Sequence, residues 1–143
     1  MTVNIYLASG SRAPRRLKRS NCYILEVDTG KGVATATGFK DMDDTMHGAS
    51  VRTLQAAAAR LNKPVDLKVY TDDNYVAGMI RELESLRSTN FTKSDGEPAA
   101  YSEEWRSIAR NIITADASTD RHSYSDWMYR ELEARRIERK EET

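Results

Sequence analysis

The stretch from Ala49 to Thr71 constrains the fold more than any other. "ASVRTLQAAAARL" (Ala49 to Leu61) places Val51, Leu54, Ala58 and Leu61 on one helical face, with Ser50 as the expected N-cap. Pro64 ends that helix. "VDLKVYT" then alternates Val65, Leu67 and Val69 with polar positions, the period of a half-buried strand. A strand reached through a helix is joined by a crossover, so it lies parallel to a neighbour. Upstream, Val3 to Ala8 reads as a strand, and "NCYILEVD" (Asn21 to Asp28) and "GVATATGF" (Gly32 to Phe39) flank Thr29-Gly30-Lys31. That trio reads as a hairpin turn, because glycine supplies the positive φ such turns need. Three strands in a meander, a helix and a parallel fourth strand predict an α/β fold, a mixed sheet with helices on its faces.

Downstream, a helix is predicted over Asn74 to Leu86, burying Val76, Ile80 and Leu83, followed by a polar loop from Ser88 to Ala100. Ser102-Glu-Glu-Trp105 opens another helix, with Ser102 as N-cap, running to Ile113. "TADASTDRHS" has room for a short edge strand at most. The last helix, Ser125 to Glu138, is expected to bury Trp127, Met128 and Leu132, and residues 137–143 form a charged tail. At 143 residues, positions 1–143 read as a single domain. No apolar run approaches the length of a membrane span, and the N-terminus lacks the pattern of a secretory signal. One cysteine, Cys22, excludes an internal disulfide, and two histidines leave no structural zinc site. The expected location is cytoplasmic.

The net charge of zero hides a segregation. "RAPRRLKR" (Arg12 to Arg19) holds five of the 22 basic residues and, interrupted by Pro14, reads as a basic loop over 12–19. The rest of the chain carries 17 basic against 22 acidic side chains. Crowding five cations in eight residues points to phosphate, which the arginine fork grips at two points. "DMDDTMHG" reads as an acidic connection. Its start copies a calcium loop, but Met46 stands at position six and Arg52 at position twelve, so a solvated acidic turn is the expectation. Tyr101, Tyr124, Tyr129 and Phe91 fall near helix ends or in loops, where a ring could stack on a base.

Several stretches resemble the ribonuclease H family. "IYLASGS" matches its first strand, with Ser9 where the family carries aspartate, and "TLQAAAARL" is similar to its glutamate-bearing helix, with Thr53 in place of the glutamate. "VYTDDNYVAGMI" resembles the fourth strand and following helix, which puts Asp72 at the third carboxylate. "NFTKSDGEPAAYSEEWRSIARNI" is similar to the basic handle and tryptophan-bearing helix, and "DRHSYSDWMYRELEAR" to the C-terminal loop and helix, with Asp126 as a fourth acid. The resemblance covers residues 3–136 and is most specific in "TDDNYV". It implies a ribonuclease H-like mixed sheet. It also implies two-metal hydrolysis, in which Mg²⁺ ions about 4 Å apart are held by several carboxylates. Mg²⁺ sheds its waters reluctantly and needs charge to stay bound. With Ser9 and Thr53 in place of two of four acids, the chain is expected to have no catalytic residue, metal or cofactor.

A second resemblance, of length, charge and non-catalytic logic, is to the small phage proteins that sequester the cyclic nucleotide signals of bacterial immune systems such as Thoeris. It implies a homo-oligomer that captures a small phosphate-bearing signalling nucleotide, of cyclic ADP-ribose or cyclic oligonucleotide type, as an anti-defence protein. The candidate contacts are Arg12, Arg15, Arg16, Arg52, Asn90, Phe91, Arg106 and Arg110. Neutral overall charge favours this over long nucleic acid, whose binders need a broad positive face. The alternatives are a ribonuclease H-type nuclease acting on RNA–DNA hybrids through Asp72, Asp126 and Mg²⁺, and a protein-binding inhibitor module.

Overall fold

The computed structural model describes residues 1–142, with side chains through Arg136. The elements are β1 (Thr2–Ser9), β2 (Leu17–Asp28), β3 (Val33–Asp44), α1 (Met46–Ala58), β4 (Val65–Tyr70), α2 (Asn74–Arg81), α3 (Leu83–Ser88), α4 (Ser102–Ala109), β5 (Ile112–Ser118) and α5 (Ser125–Glu142). The five strands form one sheet in the order β3-β2-β1-β4-β5. β1 pairs antiparallel with β2 and parallel with β4, so the meander and crossover expected from the sequence both hold. β4 is also parallel to β5.

The two faces of β1 divide the core. Val3, Ile5 and Leu7 point to one side, where α1, α2 and α4 cover them with Val51, Leu54, Ile80, Trp105 and Ile108. Tyr6 and Ala8 point to the other, where Cys22, Ile24 and the α5 residues Met128 and Leu132 close a smaller cluster. Strand alternation thus places α5 alone on one side of the sheet. Cys22 is fully buried, which pushes its thiol up to about 12.

Several boundaries differ from the sequence reading. The loop expected over 12–19 ends at Leu17, and the acidic connection after Phe39 is strand as far as Asp44. The two corrections have one cause. "LKRS" and "DMDD" lie opposite each other on β2 and β3, with Lys18 across from Asp43, and opposite charges on facing positions stabilise the extended ladder. α1 therefore starts earlier, at Met46. Its N-cap is Thr45, whose Oγ1 accepts the Gly48 N–H at 3.1 Å, while Ser50 is buried inside the helix. The helix expected from Asn74 breaks at Glu82 (φ −97°, ψ 10°), where α3 begins and keeps Leu83 in the core. α4 stops at Ala109 because Ile112 is needed as the first residue of β5, and its N-cap is Tyr101 in the left-handed region rather than Ser102. Trp127, expected to be core, is 40% exposed. It leans on Phe39 at 6.4 Å while the next residue, Met128, fills the core. The side chains of the tail over 137–143 lie outside the described residues.

Candidate functional site

Parallel pairing of β1 and β4 brings the C-terminal ends of both strands together, and with them Ser9 and Asp72. Asp72 Oδ1 accepts the Ser9 hydroxyl at 2.9 Å, and Oδ2 accepts the Ser9 backbone N–H at 2.9 Å. From the first turns of α5, Tyr129 donates its phenol to the same Oδ2 at 2.8 Å. Burial, and then the Asp72 charge, push the Tyr129 phenol above its ordinary range, so it remains a donor. Arg12 closes the group: its Nη2 donates to the Tyr129 oxygen at 3.3 Å and its guanidinium lies 5.9 Å from the ring centre. The bond to Tyr129, and then the charge of Asp72, raise the Arg12 pKa further. One carboxylate thus sits among three donors with a cation behind them.

The basic arm is shaped by its last arginine. Arg19, counted in the sequence among the exposed cations, is only 2% exposed. Its Nε donates to Asp44 O at 3.0 Å, its Nη1 to Ser11 O at 2.9 Å, and its Nη2 to Ala13 O at 2.9 Å and Arg15 O at 2.6 Å. The arm is wound around a guanidinium whose partners are all neutral carbonyls. Desolvation lowers its pKa, partly offset by the charge of Asp44. Gly10 lets the chain enter the arm, since a Cβ there would lie 2.2 Å from Ser20 O.

Three depressions meet at Arg12. One of about 50 Å³ lies over Asp72, between Tyr129, Arg121 and His122. A wide one of about 580 Å³ runs over Tyr129 towards Arg121 and Arg130. A third, of about 480 Å³, lies between the arm and α5, lined by Arg12, Arg15, Lys18 and Arg136. His122 borders the first. Burial, and then Arg121, lower its pKa, and its Nδ1 accepts the Tyr124 N–H at 3.2 Å. Beside it, burial raises Glu26, but bonds from Tyr124, Asn4 and Tyr6 outweigh that and hold the carboxylate below its usual range.

The other candidates from the sequence are scattered and mostly engaged. Arg16 donates to Asp43 O at 2.6 Å and lies 3.8 Å from the Asp44 carboxylate. Arg52 pairs with Asp44 and lies over Tyr101. Arg106 donates to Asn90 O at 3.0 Å and covers Phe91, which is 5% exposed and packs in the core rather than offering a face to a base. Arg110, exposed at the end of α4, belongs with Asn90, Phe91 and Arg106 to the side of the sheet opposite α5. Of the set, Arg12 lines the depressions over Asp72 and Tyr129, and Arg12 and Arg15 line the one between the arm and α5. Thr53, fully buried, donates to Ala49 O within its own helix. Asp73 caps α2 through Oδ1, and its Oδ2 holds His47 Nδ1 at 2.8 Å. Arg121, Arg130, Arg136 and Lys18 were not singled out by the sequence as site residues. Arg130 and Arg136 are single arginines on a charged helix, which carry no local signal.

Paired magnesium ions do not suit this donor set. Asp126 is exposed and pairs with Arg121 rather than joining Asp72. Among the described residues no three His, Cys, Asp or Glu side chains are grouped to hold a metal. Asp72 has its carboxylate engaged by hydroxyl and amide donors, and neutral hydroxyls supply none of the charge that retains Mg²⁺.

No protein-family model and no curated protein matches the sequence. Solved structures do. The chain is similar to the foamy viral protease-reverse transcriptase in complex with RNA/DNA hybrid, at 18% identity and a TM-score of 0.61, over 92% of this chain and 19% of that one. It is similar to RNase H1 from the halophilic archaeon Halobacterium salinarum (16% identity, TM-score 0.58, 92% of this chain and 94% of that one). LC11-RNase H1, solved in complex with RNA/DNA hybrid, is matched at 13% identity and a TM-score of 0.58, over 94% of this chain and 99% of that one. The fold is therefore ribonuclease H-like: a mixed five-stranded sheet with flanking helices.

Proposed function

We propose that this chain binds the phosphate backbone of a nucleic acid, an RNA–DNA hybrid first among candidates, and holds it without cutting it. The observation that carries the reading is Asp72, whose carboxylate is engaged by Ser9 and Tyr129 while Arg12 stands behind the phenol. Arg12, Arg130 and the Arg121–Asp126 pair border the wide depression beside it. This replaces capture of a small signalling nucleotide as the favoured reading. Of the arginines chosen for that role, Arg16, Arg52 and Arg106 are engaged elsewhere, and Phe91 is buried. The cations facing Asp72 form one local face, which is what backbone contact requires. Two of the structural relatives were solved with RNA/DNA hybrid, which supports the choice of probe.

A second reading, hydrolysis of such a hybrid, is favoured by the fold itself, since the relatives include RNase H enzymes. One experiment separates the two. A labelled RNA–DNA hybrid is mixed with the protein in Mg²⁺ or Mn²⁺, binding is followed by anisotropy, and the strand is resolved on a denaturing gel. Salt-dependent binding with an intact strand is expected. Cleavage abolished by Asp72→Ala would establish the nuclease, and failure to bind hybrid, duplex or single strand would remove both.

A further inference from the structure

We infer that the pocket between the basic arm and α5 is a separate anion site, taking phosphate groups of a polynucleotide strand beyond those met in the Asp72 cleft. The assignment to a strand rests on the nucleic-acid reading. The assignment to an anion does not.

The pocket, about 480 Å³, is walled by Arg12, Arg15, Lys18 and Arg136, with Arg19 beneath, and none of the described residues that line it is acidic. The nearby acids stand outside the lining: Asp41 accepts from the Ser20 hydroxyl and lies 3.9 Å from Arg135, and Asp43 stands across from Lys18 on β3. Asp43 lies by Arg16, and Asp44 binds Arg52 and the Thr45 N–H. Arg136 has its own neighbour, Glu133, at 3.7 Å. Arg15 and Lys18 are exposed.

The second observation lies under the floor. Arg19 is buried with a full positive charge, and every hydrogen bond it makes goes to a carbonyl oxygen. A cation in a poorly solvated site, its charge only partly offset by the nearby Asp44 carboxylate, projects a field into the space above. Its grip on Ser11, Ala13 and Arg15 also sets the arm's shape before any ligand arrives, so ordering the loop costs little on binding. Among the described residues no aromatic ring lines the pocket, so none of them would stack on a base there. The site is built to recognise phosphate without regard to sequence.

The test compares the full chain with an Arg15→Ala/Lys18→Ala double variant, whose melting temperature should fall only slightly, because both side chains are exposed and what is lost is the surface charge of Lys18 across from Asp43. Each is titrated with a labelled RNA–DNA hybrid over a range of salt, and with inorganic pyrophosphate while backbone amide shifts of Gly10 to Lys18 are followed by NMR. The expected result is roughly ten-fold weaker hybrid binding by the variant and a salt slope smaller by about 0.9 for each phosphate no longer neutralised. Pyrophosphate shifts that vanish in the variant, with hybrid affinity unchanged, would support the anion site but overturn its assignment to a strand. Pyrophosphate shifts in a parent that binds no nucleic acid would leave the pocket standing and remove the proposed function. Identical hybrid affinity, salt slope and amide shifts in both proteins would overturn the inference.

Discussion

Ser9 meets Asp72 twice, through its backbone N–H to Oδ2 and its hydroxyl to Oδ1, each at 2.9 Å. The side chain at position 9 thus decides whether the ends of β1 and β4 are joined by hydrogen bonds or hold two charges face to face. Ser9→Asp tests this. Asp72 loses a hydroxyl donor, about 1.5–3 kcal/mol for a bond to a charged group, and meets a like charge. That repulsion raises the apparent pKa of the pair above its unfolded value, so the loss is greatest at neutral pH and shrinks as acid protonates the pair. The melting temperature should fall by several degrees at neutral pH, recover in part towards mild acid, and recover in millimolar Mn²⁺. An unchanged melting temperature without divalent ions would deny the pairing any role.

Tyr129→Phe removes the phenol that donates to Asp72 at 2.8 Å and accepts from Arg12 at 3.3 Å. The ring and its packing remain, so the cost is that of the charged hydrogen bond, again about 1.5–3 kcal/mol. Urea unfolding should show a lower midpoint with the same slope. A midpoint equal to that of the parent would mean that Asp72 is satisfied by Ser9 alone.

Arg19→Lys keeps the charge but replaces a planar fork with a single ammonium, which cannot reach Asp44, Ser11, Ala13 and Arg15 together. Leaving the buried Asp44 carbonyl unpaired costs about 1–3 kcal/mol, and the half-buried Ser11, Ala13 and Arg15 carbonyls, which water can reach, cost less. The arm should loosen, and limited trypsin digestion should cut after Arg15 or Arg16 well before the rest of the domain. Equal resistance to trypsin in variant and parent would show that the arm holds its shape without Arg19.

Burial, and then Arg121, hold His122 below its ordinary value of 6.5. The unfolded chain therefore takes up a proton near 6.5 while the folded chain does not, so stability is lost as pH falls from 6.5 through the folded value. His122→Asn should flatten this part of the curve. Glu26 also has a depressed folded pKa, but its loss begins only near its ordinary value of 4.5, so the two windows are separable. Denaturant unfolding across the acid range reads both, and a His122→Asn curve identical to the parent's would exclude the histidine as the source.

Much of the fold was legible because its signals are local. The alternation in "VDLKVYT", the turn glycine Gly30 (φ 81°) and the apolar face of α1 are each settled within a few residues. Asp72 was legible for the same reason, within "TDDNYV". Its surroundings were less so. Nothing near Tyr129 in sequence marks it as a partner of Asp72, 57 positions away. Nothing near Arg19 marks it as the one buried member of the group from Arg12 to Arg19, because its partner Asp44 lies 25 positions on and becomes adjacent only when β3 pairs with β2. The start of α1 moved for a related reason: the pairing of "LKRS" with "DMDD" is a long-range match that no window of a dozen residues contains.

The amino-acid sequence by itself determined the order and type of the elements and the parallel crossover into β4, because periodicity and turn chemistry act between neighbours. Tertiary structure alone decided which cations face solvent and which face carbonyls, and whether Asp72 meets acids or hydroxyls. Those outcomes depend on desolvation and on pairing between residues that only the packed sheet and α5 bring within hydrogen-bond reach.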